Sequence, residues 1–442
     1  MLKSAKKDVL YVYMNGYRVG DFCRYAGGGL GFAYAQDWLA TPGTRPISLS
    51  LPLREEPYRG DEVYNFFDNL LPDNPAVRAR IQTRFKCATD RPFDLLAKIG
   101  ADCVGAIQLI DAPDDPDIRQ IAAAPLDEAG VAALLRNYRQ APLGMAPGVE
   151  DFRISLAGAQ EKTALLRYKK GWWRPKGATP TSHIFKPPID ILETTGLDLS
   201  DSCENEWLCQ KIARAFGFRA ARSEILTFED RKVLAVERFD RRWSQDGTWL
   251  MRLPTEDICQ ALGVSPQLRY ESDGGPGIAA IMDLLLGSES AREDRDTFIK
   301  TQILFWLLAA TDGHAKNFSL FLLPGGAFRL TPLYDIMTVY PLIAGQQLPV
   351  RKAKLAMALY GKNRHAHLHW IQPRHWLSTA EKIRYSKELT RRHLNDMCAQ
   401  VDTVIEAVAE ELPPTFPCAL AEQVFEGMRS ARNKHLPAIK RL

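Results

Sequence analysis

From Asp294 to Ala310 the chain carries acidic residues near its start and then an unbroken apolar stretch, Ile303 to Ala310. This pattern predicts a helix that is buried on all sides and halted at Thr311-Asp312-Gly313. Such a helix must be wrapped by other structure. The chain has the means: 442 residues, 46% hydrophobic and 25% charged, which suit a globular protein of two or three domains. The apolar stretch is far short of the ~20 residues a membrane helix needs. The start, Met1-Leu2-Lys3-Ser4-Ala5-Lys6-Lys7-Asp8, lacks the apolar core of a signal peptide, so a cytoplasmic protein is expected. None of the eight cysteines stands in a C-x-x-C pair. Zinc-ribbon and thioredoxin readings fail, and buried thiols are expected.

Net charge is a mild +4, but it is unevenly spread. From Arg351 to Arg392 eleven basic residues face only Glu381 and Glu388, and the last fifteen residues of the sequence add Arg429, Arg432, Lys434, Lys440 and Arg441 with no acid among them. This is either an electrostatic footprint for a polyanion or a solvated face.

To about residue 110 the chain reads as short strands and turns, then helix. Val9–Met14 is strand-like, Asn15-Gly16 is a hairpin signal, and the apolar stretch 63–74 is helical until Pro72. A Pro/Gly cluster at 141–149 marks a boundary. Beyond it, Arg153–Leu156 is strand-like and Ala157–Lys162 is a loop of mostly small residues. Thr163–Tyr168, Trp172–Arg174 and Ser182–Lys186 are further strands. Asn205–Phe216 is helical and ends at Gly217, and Lys232–Glu237 is a strand. From about Arg241 the pattern is mostly helical, with helices expected from Ser378 through Arg384 toward Ala399 and from Val401 to Glu411.

Four elements suit one another chemically. The loop Ala157–Lys162 can bring backbone N–H groups close to phosphate oxygens, although a plain hairpin loop reads the same. Lys186, ending a strand before Pro187-Pro188, can neutralise phosphates or simply lie at the surface. Asp312 and Asn317 stand five apart on a loop after the buried helix. There the Asp can accept the proton of an attacking hydroxyl and the Asn amide oxygen can bind magnesium. Asp335, in Tyr334-Asp335-Ile336 after the strand-like stretch 327–330, can be a second metal ligand. In this order they are the parts of a protein kinase, without G-x-G-x-x-G or D-F-G.

Longer runs carry a resemblance. They are Ser155–Thr163, Val236–Arg241, Tyr270-Glu271-Ser272-Asp273-Gly274-Gly275-Pro276-Gly277, Thr311–Asn317 and Tyr334–Ile336, with the stretch Phe66–Asp73 in the N-terminal part. They resemble the HipA family of bacterial serine/threonine kinase toxins, partners of the antitoxin HipB. The resemblance implies an α+β, two-lobed, protein-kinase-like fold. It would comprise an N-terminal α/β subdomain (1–148), a kinase N-lobe (149–240) and a mostly helical C-lobe (241–442).

The resemblance also implies roles. Ala157, Gly158, Ala159, Gln160, Glu161 and Lys162 would form the phosphate loop, with Lys186 on the phosphates. Glu237, Arg238 and Phe239 would be the hinge whose backbone reads adenine. Asp312 would be the catalytic base, and Asn317 and Asp335 the Mg²⁺ ligands, with His314 and Lys316 near the γ-phosphate of ATP. Ser155 matches the family's autophosphorylated serine, and Glu206 is a candidate partner for Lys186. The implied partners are a dimeric HipB-like antitoxin, operator DNA through the antitoxin complex, and an aminoacyl-tRNA synthetase as substrate. Lys382, Arg384, Arg391 and Arg392 are candidates for DNA-phosphate contacts, which would add salt-dependent affinity without specificity.

Two other functions fit the same residues: a catalytically silent corepressor, and a small-molecule or lipid phosphotransferase. Gly274–Gly277 reads as a turn before a helix rather than a nucleotide loop. His365, His367 and His369 alternate as on one face of a strand, but no neighbouring Cys or acid supports a metal site.

Overall fold

The computed structural model describes residues 8–111, 116–137, 143, 154–158, 160–192, 195–439 and 441. The cluster at 141–149 apart from Leu143, together with Arg153, Ala159 and Lys440, lies outside the described residues. Two compact units form: residues 1–187, 226–267 and 319–328 in the first, and 188–225, 268–318 and 329–442 in the second. No helix is long and apolar enough to cross a membrane, among the described residues. All eight cysteines are free thiols, six of them buried.

The first unit opens with a five-stranded antiparallel sheet in the order Tyr58–Arg59, Leu30–Tyr34, Tyr17–Arg24, Asp8–Met14, Ile107–Ile110. Asn15 and Gly16, at φ 48° and 83°, turn the first hairpin as expected, because left-handed residues match the twist of the strands they join. The helix Asp61–Asp68 lays Phe66 and Phe67 into this sheet's core, with the Phe67 ring stacked 3.7 Å from that of Phe22. The helix ends at Asp68, before the proline expected to stop it.

A second sheet runs in the order Ser223–Phe228, Arg231–Glu237, His183–Lys186, Thr163–Tyr168, Gly171–Pro175, Ala123–Leu126. Phe185, Val233, Leu165 and Val131 are fully buried beneath it. Lys169 and Lys170 make the tight turn before Gly171 at φ 48° and 61°, left-handed values taken here by residues that are neither Gly nor Asn. The strand expected at Arg153–Leu156 is reduced to one bridge, Ile154 to Asp102. Its residues instead face the first sheet's core, where Ile154 and Leu156 are buried.

One network in this unit has no precedent in the sequence pattern. Asp102 accepts from Arg241 at 2.8 Å, from Arg252 Nε at 3.1 Å and from the Thr181 amide at 3.0 Å. Arg238 grips Asp240 through two nitrogens, at 3.0 and 2.8 Å. Three guanidinium groups and two carboxylates are thus buried together, each side chain 7% exposed or less. Burial alone would push the Asp102 carboxyl up, but Arg241, Arg252 and Arg238 more than offset it and hold the group well below the usual carboxylate range. Every one of these charges has a partner, which is the condition for burying them.

Glu256, on the strand Thr255–Asp257, is the opposite case. It is fully buried, and its Oε1 accepts from the Leu49 amide at 2.8 Å. Burial pushes its carboxyl from 4.5 up to about 8, against the lowering effect of Ser48 and Leu49. The folded chain therefore keeps a proton that the unfolded chain releases. That contribution is fully present below pH about 4.5 and is lost as pH rises through about 8. Glu256→Gln is expected to melt higher than the parent at pH 9 by up to a few kcal/mol of stability, and to match it near pH 5. Parallel melting curves across that range would refute the assignment.

In the second unit the helix Ala291–Leu307 buries its second half as expected, but it begins and ends three residues early. The chain leaves it through Ala309 at φ 48°, with the Ala310 amide returning to Phe305 O at 2.8 Å. The C-terminal part forms helices Pro373–Lys382, Lys387–Glu410 and Cys418–Ile439. This corrects the two expected helices. The break falls at 383–386, where Arg384 takes φ 51° and Ser386 caps the next helix, and no break follows Ala399. Short strands, among them Arg241–Trp243, Thr255–Asp257 and Lys354–Tyr360, also interrupt the stretch expected to be mostly helical.

Candidate active site

The loop expected to bind phosphate belongs to the first unit and is braced from the N-terminal part. Gly158 takes φ 106° and its carbonyl accepts from the Asp73 amide at 3.0 Å. The positive φ explains a glycine at this position. Lys162 folds back, donating to Ala157 O at 2.9 Å. Gln160 donates to Pro187 O at 3.2 Å, and Glu161 pairs with Arg80 at 2.5 Å. Ala159 lies outside the described residues. Ser155 is fully buried, its hydroxyl donating to Leu70 O at 2.7 Å and its amide to Asp102 O at 3.0 Å.

The stretch Phe66–Asn74 thus has a purpose that the sequence did not disclose. Its aromatics fill the core, Asp68 holds Arg78 at 2.6 Å, and Leu70 and Asp73 hold Ser155 and Gly158, at the start of the loop expected to bind phosphate.

Lys186 ends its strand opposite Leu234 and is nearly buried. Of the expected hinge, Glu237 is exposed and closes its strand opposite His183. The Arg238 amide donates to Ser182 O at 2.9 Å, and its side chain belongs to the buried network. Phe239 packs edge-on to Phe321 with ring centroids 6.0 Å apart.

The second unit brings Asp312, Asn317 and Asp335 together. Gly313 is needed because a Cβ there would come within 2.3 Å of the Phe305 ring; the buried helix thereby sets where the loop begins. A single turn, Ala315–Asn317, follows, and the Asn317 Oδ1 accepts from the His314 amide at 3.1 Å. His314, Lys316 and Asn317 are all buried. Tyr334 donates to Lys316 O at 2.8 Å and so ties the two loops together. Asn317 Nδ2 lies 3.4 Å from Asp335 Oδ2.

Asp335 itself takes φ 59°, a left-handed conformation that costs energy in a residue with a side chain and persists only when its surroundings enforce it. They do so on both sides. Leu333 exchanges backbone hydrogen bonds with Arg219 and Ala221, each at 2.8 Å. Thr338 exchanges two bonds, each at 2.9 Å, with the Asn205 amide on the helix Ser202–Ala215.

Asp312 keeps an exposed face. Protein packed around its other side pushes its carboxyl above the usual range, the charge of Asp335 adds to this, and a hydrogen bond from Tyr270 opposes it. The Asn317 amide turns its Nδ2 toward the Asp335 carboxylate and its Oδ1 to the His314 N–H; rotated to present that oxygen, it would join the carboxylate as a pair of hard oxygen donors, the set magnesium prefers when phosphate and water complete its octahedron. The residues fit that ion.

Residues 154–405 match the family model of the HipA-like C-terminal domain. The chain belongs to the HipA family. Residues 10–110 match the HipA N-terminal domain. The chain is 34% identical over 413 residues, 92% of each protein, to the putative kinase Y4mE of Sinorhizobium fredii. It is 28% identical over 318 residues, 69% of each, to the serine/threonine-protein kinase toxin HipA of Shewanella oneidensis. A chain of the solved HipA, HipB and operator DNA complex of Shewanella oneidensis MR-1 superimposes with a TM-score of 0.81, at 21% identity and 98% coverage of both. That likeness establishes the fold, the α+β kinase-like HipA fold expected above.

The remaining expected residues lie elsewhere in the sequence. Glu206 is buried and accepts from Gln210 at 3.1 Å. Lys382 lies over the Tyr360 ring at 4.3 Å, Arg391 is paired with Glu388 at 2.8 Å, and Arg384 and Arg392 are exposed. His365 and His367 share the strand Arg364–His367, whereas His369 lies beyond it. His365 stacks on His375 at 3.7 Å, and no group of three or more His, Cys, Asp or Glu side chains that could hold a metal ion occurs among the described residues.

Proposed function

We propose that this chain is the toxin kinase of a toxin–antitoxin module, an ATP- and Mg²⁺-dependent serine/threonine protein kinase. The observation that carries the reading is the joining of Asp312, Asn317 and Asp335 on two loops tied by Tyr334. In the proposed reaction an acceptor hydroxyl attacks the γ-phosphorus of ATP. The new O–P bond forms as the bond to the β-phosphate oxygen breaks, the hydroxyl proton passes to Asp312, and ADP departs. A metal ion held by Asn317 and Asp335 would neutralise charge on the phosphates. Ala157–Lys162 and Lys186 would bind the phosphates, with His314 and Lys316 near the transferred group and Glu237–Phe239 against the adenine. Glu206 remains the proposed partner of Lys186, and the layout 1–148, 149–240 and 241–442 the proposed domain division.

The relative in Shewanella oneidensis was solved with HipB and operator DNA. This supports a dimeric HipB-like antitoxin and, through it, operator DNA as partners in the cytoplasm. Lys382, Arg384 and Arg392 would contribute phosphate contacts. Arg391 would do so only by giving up Glu388. The proposed substrate is an aminoacyl-tRNA synthetase, and Ser155 the autophosphorylation site. Because Ser155 is buried against Leu70, its modification requires the phosphate loop to leave its brace, and the added negative charge would oppose return.

Intact-protein mass after incubation with Mg-ATP tests the reading. A gain of one phosphoryl group, removable by phosphatase and abolished by EDTA until Mg²⁺ is restored, is expected. No gain in mass, and no transfer to any protein of a host lysate, would overturn it.

A further inference from the structure

The run Tyr270–Gly277 forms a tight turn that presents one hydroxyl. Tyr270 donates to Asp312 Oδ1 at 2.5 Å. Its ring is held on two sides: edge-on against His314, with centroids 4.8 Å apart, and beneath the Arg269 guanidinium at 5.1 Å. Arg269 is itself joined to the catalytic loop, since its carbonyl accepts from the Ala315 amide at 3.2 Å.

The rest of the run builds the mount. The Asp273 and Gly275 amides both donate to Tyr270 O, at 3.1 and 3.0 Å. A Cβ on Gly275 would stand 1.7 Å from Leu268 O, and one on Gly277 would stand 2.1 Å from Glu271 Oε1. Glu271 is buried and accepts from the Ala358 amide at 2.6 Å, with Arg364 on its other oxygen at 3.1 Å. Glycines that a nucleotide loop would use for phosphate are here consumed by packing.

We propose that Tyr270 is a positioning residue, which fixes the rotation of the Asp312 carboxylate so that its second oxygen faces the acceptor hydroxyl. The inference rests on the kinase reading given above. A terminal carboxylate torsion is broad and roughly two-fold, so an unrestrained Asp312 would spend much of its time misaligned. Hydrogen bonds from O–H to a carboxylate are short and strong, and this one spans two segments that the turn and the loop hold rigid. Oδ2 accepts no hydrogen bond from a described residue and remains for substrate. Burial and the charge of Asp312 both raise the Tyr270 phenol, so it stays a donor at neutral pH.

The test is Tyr270→Phe, with Tyr270→His as a variant that keeps a ring N–H donor. Both are assayed as the full chain with γ-labelled Mg-ATP, following incorporation into protein. The expected result for Tyr270→Phe is a maximal rate about ten- to a hundredfold lower, the loss of one charge-assisted hydrogen bond. The ATP concentration at half-rate and the melting temperature should stay unchanged, and Tyr270→His should recover part of the rate. An unchanged or faster rate in Tyr270→Phe overturns the proposal. So does an equal loss in both variants accompanied by a large drop in melting temperature. A parent chain that transfers no phosphoryl group removes the kinase reading, and this inference with it, which a silent variant beside an active parent does not.

Discussion

Asp312→Ala is expected to reduce phosphoryl transfer by at least 10²- to 10⁴-fold, the usual contribution of a positioned general base. The residue stands on the loop that leaves the buried helix, its exposed side facing solvent and its other side held by Tyr270. Removing the carboxylate leaves the residues proposed to bind nucleotide in the first unit unaltered, so ATP affinity should change little. Because Asp335 lies close enough to raise the Asp312 carboxyl, deleting Asp312 also relieves repulsion and should not destabilise the fold. The variant should therefore be well folded, able to bind ATP and its antitoxin, and inert. Undiminished label transfer by purified Asp312→Ala would remove this residue from the mechanism.

The second large effect concerns stability. Asp102→Ala takes away the carboxylate that Arg241, Arg252 and Arg238 share, leaving three buried guanidiniums with Asp240 alone. Breaking a buried ion network on one side costs roughly 3–5 kcal/mol, which corresponds to a melting temperature lower by on the order of 10 °C. Asp102→Asn should cost less than Ala, because its amide oxygen still accepts from Thr181 and one arginine. Melting within about 2 °C of the parent would show that water, not Asp102, compensates these arginines.

How much of this was legible beforehand depended on whether the determining contact was local. The Asn15-Gly16 hairpin, the buried helix before Asp312 and the Asp-x4-Asn spacing are written in neighbouring residues, and they stand close to where they were expected. The pairing of Asp335 with Asn317 was suggested by its place after a strand-like stretch, but what enforces it, Asn205 and Arg219 more than a hundred residues upstream, was not legible. Three features were invisible for the same reason. The brace from Leu70 and Asp73 crosses 85 residues, the Asp102 network up to 150, and the Tyr270 contact 42. No period or spacing encodes a pairing at such separations. The missed break at Arg384 had a different cause: polar helix continued on both sides of it, so nothing in composition marked a stop.

Asp102 falls within the segment matching the HipA N-terminal domain, and its arginine partners fall within the segment matching the C-terminal one. The two segments are therefore not interchangeable cassettes. A chimera that grafts residues 154–405 onto a foreign leading segment would inherit stranded cations unless that segment supplied a carboxylate at the same place. Within such a lineage, recombination between the two halves should survive only when this one acid travels with the guanidiniums that depend on it.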